Sequence, residues 1–224
     1  MKELLPERND TSRTKLLRER MVELQLIQRG IVDQRVLAVM KAVPRHWFCL
    51  SGTKDEDAYG DYPLPIGYGQ TISQPLMVAD MLQQMRLLGE ETVLDVGTGS
   101  GYNAALLSRL ALRVISVEVV PELAEKARER LRSNGFENVE VHVGDGSMGW
   151  IAAAPYEAIV VTAGAPVIPE ALQQQLRVGG RLVIPVGSLA LQKLLVVHRT
   201  EKGFRIEEQG LCRFVPLQGK DGWQ

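Results

Sequence analysis

The sequence predicts an α/β fold: a doubly wound, mostly parallel sheet with helices on both faces, antiparallel C-terminal strands and an N-terminal helical extension. Three observations predict it. Between residues 92 and 186 strand-like apolar runs alternate with helical patterns, the arrangement of a sheet built from crossover units. Residues 156–162 (YEAIVVT) read as a continuous apolar strand, as expected when both faces are covered. Residues 92–102 (TVLDVGTGSGY) read as strand, tight glycine turn and helix start.

The elements follow in order. Residues 1 to about 12 are polar and are expected to fray. From Arg13 the pattern turns helical, with Leu16, Leu17, Met21, Leu24 and Ile27 on one face and Gly30 at the end. A second helix spans about 33–42, with Asp33 as its N-cap and Pro44 as its stop. Residues 44–74 are irregular and hold four glycines, three prolines and three tyrosines; unpatterned loops of this length are often functional. Pro75 opens a helix over 76–87 whose apolar face is Met77, Val78, Met81, Leu82 and Met85. Helical spacing resumes after the glycine turn at 103–110. A strand at 113–118 ends in Glu118, a helix at 122–133 is closed by Asn134-Gly135, and a strand at 139–143 leads into Gly144-Asp145-Gly146. After 156–162 come a helix at 169–176, a turn at Gly179-Gly180 and a strand at 181–186. Residues 191–198 and 204–215 form the antiparallel pair, joined around Lys202-Gly203. One compact unit is expected, divided near residue 75 into an extension with its loop (1–75) and a ligand-binding domain (76–224).

Composition narrows the class. A chain of 224 residues, 45% hydrophobic and 24% charged, is long enough for a sizeable core. A net charge of -1 carries no electrostatic footprint for nucleic acid. Cys49 and Cys212 sit among apolar and aromatic neighbours and read as buried thiols of a reducing compartment. The charged start lacks a signal core, and no run reaches the ~18 apolar residues of a membrane helix. A cytoplasmic protein is expected, monomeric, without a membrane or nucleic-acid partner and without a metal. His46, His142 and His198 are scattered and read as structural.

The glycine spacing points to a ligand. Gly97, Gly99 and Gly101 make G-x-G-x-G, whereas the dinucleotide fingerprint would put its third glycine where Tyr102 stands. No Lys-Ser/Thr pair follows, so pyrophosphate and triphosphate are both disfavoured. A nucleoside without phosphate fits better. Glu118, about 17 residues past the turn, can accept both ribose hydroxyls. Asp145 can accept from an adenine amino group, and Asp95 can meet a cationic amino-acid portion. Taken singly, each acid reads equally well as a turn residue or a strand-end charge. Together, with no basic residue nearby, they suit a ligand carrying an ammonium and a sulfonium, which is S-adenosylmethionine.

VLDVGTGSGY, VEVVPELAEKAR and the GDG turn resemble the class I S-adenosylmethionine-dependent methyltransferases, which implies a Rossmann-like methyltransferase sheet. More narrowly, from about Met21 to Leu217 the chain resembles the protein-L-isoaspartate (D-aspartate) O-methyltransferase family, through RGIVDQRVLAVMKAVPRHWF, YPLPIGYGQTISQPLMVADML, GDGSMGW, VTAGAPVIPEAL and RFVPL. The glycine turn is shared widely; IGYGQTISQP is far more specific. The resemblance implies methyl transfer from S-adenosylmethionine to the free carboxyl of L-isoaspartyl and D-aspartyl residues in damaged proteins and peptides. The ester then collapses to a succinimide, and hydrolysis returns some normal aspartate.

The resemblance also implies site residues. Ser73, the serine of TIS, is the catalytic residue. The expected cofactor-binding set is Thr71, Ile72, Ser73, Asp95, Gly97, Thr98, Gly99, Ser100, Gly101, Tyr102, Glu118, Asp145, Gly146 and Thr162. Ile66, Gly67 and Ser73, with Phe214, Val215 and Pro216, are expected to line the peptide site. Residues 59–72 and 213–217 are expected to close over the peptide. Ser73 also reads as an N-cap ahead of Pro75. The competing functions are a methyltransferase for RNA or a small molecule, and a non-catalytic S-adenosylmethionine-binding module.

Overall fold

The computed structural model describes residues 10–223. Its centre is a sheet of seven strands: β3 (Thr92–Val96), β4 (Arg113–Glu118), β5 (Val139–Val143), β6 (Tyr156–Val161), β7 (Leu176–Gly187), β8 (Gln192–Thr200) and β9 (Gly203–Cys212). The order across the sheet is β5-β4-β3-β6-β7-β8-β9. The pairs β5–β4, β4–β3, β3–β6 and β6–β7 are parallel; β7–β8 and β8–β9 are antiparallel. This is the doubly wound sheet with an antiparallel C-terminal edge that the alternating pattern predicts.

Both faces of the sheet are covered, and the strands show it with period two. Val93, Val114, Val160 and Val183 face one apolar cluster, which continues into the N-terminal helices. Leu94, Ile115, Ile159 and Leu182 face a second, closed by Leu172 and Leu176. The crossovers are α5 (Tyr102–Ser108), α6 (Pro121–Ser133) and α7 (Glu170–Gln174). The winding reverses at β3, whose neighbours are β4 on one side and β6 on the other. That reversal opens a crevice beyond the C-terminal ends of β3, β4 and β6, where such sheets bind ligands.

The N-terminal part is α1 (Ser12–Arg20), a π turn at Met21–Leu26, a 3-10 turn at Ile27–Arg29 and α2 (Gln34–Ala42). Thr11 caps α1 by accepting the Thr14 N–H at 3.2 Å, so the expected fraying does not reach residues 10–12; residues 1–9 lie outside the described ones. The buried face differs from the expected one. Met21 is buried as expected, but with Thr14, Arg18, Val22 and Leu26, while Leu16, Leu24 and Ile27 are exposed. The reason is polar. Arg18 turns inward, where its guanidinium holds Asp10 at 2.9 Å and the Lys41 carbonyl at 2.6 Å, and the wider π turn then rotates the apolar stripe. Asp33 caps α2 as predicted.

The irregular stretch 44–74 is more ordered than its composition suggests. It contains α3 (Asp55–Ala58) and a hairpin of β1 (Leu64–Gly67) and β2 (Gln70–Ile72). Asp61 pins the stretch by accepting the Leu76 N–H at 3.2 Å in the first turn of α4 (Pro75–Met85) and by pairing with Arg29. Two expected boundaries move. Gly179-Gly180 is a bulge inside β7, because the register against β6 jumps from Leu176 to Arg181; it is not a turn before a new strand. β9 stops at Cys212, so Phe214 and Val215 lie beyond the antiparallel pair. Among the described residues no helix is long and apolar enough to cross a membrane.

Candidate functional site: a cleft at the sheet reversal

The crevice is a cleft with an empty volume of about 520 Å³. Its walls come from elements distant in sequence: Gln70 and Thr71 of β2, Gly97 and Gly99 of the turn, Glu118 at the end of β4 and Val119 after it, Gly146 after β5, Thr162 and Ala163 after β6, and Val215 to Gln218. None of these lining residues is basic, so the one charge in the wall is the Glu118 carboxylate.

The turn is built for close approach. Gly97 has φ +95°, and a Cβ there would stand 2.8 Å from Thr162 Oγ1, which itself donates to the Gly97 carbonyl at 2.9 Å. Only glycine satisfies both demands. Glu118 is buried at the floor. Its Oε2 accepts the Gly99 N–H at 2.7 Å and its Oε1 the Val120 N–H at 3.0 Å. A carboxylate offers roughly four acceptor positions, so each oxygen keeps one for a ribose hydroxyl. The residues present therefore fit a phosphate-free, cationic nucleoside: a glycine cradle, a two-oxygen acceptor and no competing cation.

Several side chains of the expected cofactor-binding set are held by partners inside the protein. Asp95 lies behind the turn and is fully buried; its Oδ1 accepts from Asn103 Nδ2 and its Oδ2 from Ser116 Oγ, both at 2.7 Å. It braces the turn through these two bonds. Thr98 Oγ1 is likewise taken up by Ser116 Oγ at 2.6 Å, and Ser100 Oγ accepts the Tyr102 N–H at 3.3 Å. The Tyr102 ring is a core residue between Phe48 and the Arg45 guanidinium. Gly101, Gly146 and Thr162 stay at the turn or in the cleft wall. Asp145 accepts from Ser147 N and Ser147 Oγ at 2.9 and 2.6 Å.

Burial lifts the Asp95 carboxyl to about 6, against the lowering by its Asn103 and Ser116 donors and with a further push from the Glu118 charge. The folded protein thus holds this proton more tightly than the unfolded chain, whose carboxyl titrates near ~3.9. That contribution favours the fold in acid and is lost as pH rises from about 4 through about 6. Asp95→Asn cannot ionise and is expected to remove it. Urea unfolding between pH 4 and pH 7 should show the wild type losing on the order of 3 kcal/mol relative to the variant. Parallel pH profiles would contradict this reading.

Ile66 of the hairpin reaches the turn: its Cδ1 lies 3.3 Å from where a Gly99 Cβ would be. Gly67 sits at the hairpin bulge with φ +93°. Thr71 lines the cleft and Ile72 is buried; Ser73 follows the end of β2, is half-buried and is not among the residues that line the cleft. Ser73 does not cap α4: the N-cap is Gln74, and it makes no side-chain cap bond. Val215 and Pro216 line the cleft, tied down where the Gly164 N–H donates to Val215 O at 2.8 Å. Phe214 instead belongs to the main apolar cluster, and its N–H is held at 2.8 Å by Oε1 of the buried Gln192.

Comparisons with known proteins identify the family. The family model described as protein-L-isoaspartate (D-aspartate) O-methyltransferase matches residues 17–222. The chain belongs to that family. It is 51% identical over 207 residues to protein-L-isoaspartate O-methyltransferase 1 of Syntrophobacter fumaroxidans, covering 92% of this chain and 96% of that one. It is 55% identical over 208 residues to protein-L-isoaspartate O-methyltransferase 2 of Pelobacter propionicus, covering 92% of each. Among solved structures, a protein-L-isoaspartate O-methyltransferase superposes with a TM-score of 0.82 at 28% identity, over 91% of this chain and 66% of that longer one. A beta-aspartate methyltransferase of Plasmodium falciparum, in complex with S-adenosyl-L-homocysteine, gives 0.78 at 26% identity over 90% and 98%.

The family's cleft includes residues that sequence reasoning missed. Val119 directly follows the strand-end acid, so its place was readable. Gln70 and Leu217 fall within the stretches 59–72 and 213–217 expected to close over the peptide, but were not singled out; Gln218 carried no signal, because nothing in its neighbourhood shows that the chain after Leu217 meets the turn. The histidines lie elsewhere: His46 bonds Tyr59 Oη at 2.7 Å, His142 stacks on Trp150 at 4.2 Å, and His198 lies 3.5 Å from Glu207. Cys49 and Cys212 are both buried, as expected.

Proposed function

We propose that this chain uses S-adenosylmethionine to methylate the free carboxyl of L-isoaspartyl, and D-aspartyl, residues in damaged proteins and peptides, giving the methyl ester and S-adenosylhomocysteine. The observation that carries the reading is the seating of the IGYGQTIS hairpin on the glycine turn, with Ile66 against Gly99 and with Gln70 and Thr71 in the cleft wall. Family membership and relatives at about half identity support the same activity.

When bound, the cofactor supplies a methyl group already activated by its sulfonium. The acceptor carboxylate is ionised at neutral pH, since its reference pKa is ~4, and needs no general base. What remains for the chain is binding, alignment and exclusion of water. Glu118 and the glycine cradle hold the nucleoside. The Ser73 hydroxyl donates to the acceptor carboxylate and sets its direction, and one such bond leaves enough electron density for attack. Ile66, Gly67, Val215 and Pro216 enclose an extended peptide mainly through backbone and apolar contact, which suits a substrate met in many sequences. Alignment of this kind supplies roughly 7–11 kcal/mol of a barrier.

The test offers the purified chain radiolabelled cofactor with an isoaspartyl peptide, its normal aspartyl twin and an RNA. Base-labile label is expected on the isoaspartyl peptide alone. Label on the RNA, equal label on the aspartyl twin, or no label would overturn the proposal.

A further inference from the structure

The C-terminal segment crosses the cleft beside Asp145. The Leu217 N–H donates to the Gly164 carbonyl at 2.8 Å; the chain then loops through Gly219 and Lys220 and returns at Trp223. There the Trp223 N–H meets the Leu217 carbonyl at 2.7 Å, and the indole Nε1 donates to Gly164 O at 3.0 Å. The loop is thus a strap closed on itself at the end of β6. Gly219 has φ +142°, and a Cβ there would lie 2.0 Å from Asp145 Oδ1, so the backbone rests directly on the carboxylate. The Lys220 N–H donates to Asp145 Oδ2 at 2.7 Å, and the Asp221 N–H to Ser147 Oγ at 3.0 Å.

The acceptor count is informative. Of the roughly four acceptor positions of a carboxylate, Ser147 fills two on Oδ1 and Lys220 fills one on Oδ2. One position is left. Burial pushes the Asp145 carboxyl up, but the donors around it, Lys220 and Ser147 first and the Met148 backbone after them, outweigh it and hold the group below the ordinary range, so it stays an anion that can only accept. Gly146, next to Asp145, and Gln218, at the start of the strap, line the same cleft, which is open with the strap closed.

We infer that residues 218–223 are a positioning element of the cofactor site: by holding Asp145 in one orientation with a single acceptor to spare, the strap makes the site select a purine that carries a 6-amino donor. The inference rests on the reading of Asp145 as the adenine acceptor. Without the Lys220 donor the carboxylate is pinned through Oδ1 alone, its free oxygen can turn to water, and the bond to the amino group loses its advantage.

The test measures, by calorimetry on the full chain, the Kd of S-adenosylhomocysteine and of its 6-deamino purine analogue. The intact protein is expected to prefer the amino compound by about tenfold or more, the worth of one hydrogen bond to a charged acceptor. In Lys220→Pro, which removes the N–H donor, and in a chain ended after Leu217, the preference should fall to about threefold or less, while Lys220→Ala, which loses the side chain but keeps the N–H, should retain it, with ligand-free melting temperatures confirming that all three fold. A merely structural role would weaken both ligands alike and leave the ratio unchanged, which overturns the inference. Tighter binding of the amino compound after strap removal also overturns it, since the strap would then be a competitor. An intact protein that does not discriminate removes the Asp145 reading itself and this inference with it.

Discussion

Ser73→Ala is expected to lower kcat about 10- to 100-fold while changing the Kd of S-adenosylhomocysteine less than about threefold, the pattern of a lost hydrogen bond to a charged reacting group. The reaction demands little else from the protein. The nucleophile is already an anion and the leaving group already a cation, so orienting the carboxylate oxygen is the main task at the acceptor end. We propose Ser73 for it. It directly follows β2, two residues from the cleft-lining Thr71, and it is not used as the cap of α4. The hairpin that carries it is braced through Ile66 on the turn, and the stretch before it through Asp61 on α4. Steady-state kinetics on an isoaspartyl peptide, alongside calorimetry with the product cofactor, separates the two effects. Unchanged turnover would sink the assignment. So would a loss of cofactor affinity as large as the loss of rate, because it would make Ser73 a cofactor ligand.

Glu118→Ala is expected to act at the opposite end of the site and to weaken cofactor binding about 100-fold or more. The carboxylate would bind ribose through two charge-assisted bonds, each worth about 1.5–3 kcal/mol. It also holds the Gly99 and Val120 N–H groups, so its removal loosens the turn as well as the ligand. Glu118→Gln keeps the shape but replaces one acceptor oxygen with a donor, and should fall between the two. Calorimetry with S-adenosylhomocysteine gives the affinities, and the ligand-free melting temperature shows whether the turn has collapsed. Affinity within about threefold of wild type for Glu118→Ala would remove the ribose role.

The two halves of the site differ in how far they could be read from the chain. The donor half is local. Gly97, Gly99, Gly101 and the acid after the next strand are fixed by strand period, glycine spacing and a crossover of ordinary length, all short-range patterns. Glu118 is therefore found at the cleft floor, where its position in the sequence put it. The acceptor half is not local. Leu64 to Ile72 carries too much glycine and proline for any period to show, and the contact of its hairpin with the turn, through Ile66 against Gly99, joins residues far apart in sequence. For Asp95, spacing located the carboxylate but not its direction. Asn103 on α5 and Ser116 on β4 claim both its oxygens, and neither partner is visible from the motif.

By itself, then, the sequence determined the doubly wound sheet, the point where its winding reverses, the phosphate-free nucleoside site and, through IGYGQTISQP, the family. Only the tertiary structure decided which of the three acids meets the cleft directly, which face of the N-terminal helix is buried, and that residues 214–223 return to β6 to form a wall and a strap. The physical reason is the range of the interactions. Apolar periodicity and turn chemistry act over a few residues and leave a trace in the string. Hydrogen bonds such as Lys220 to Asp145 join groups 75 residues apart, and no local pattern records them.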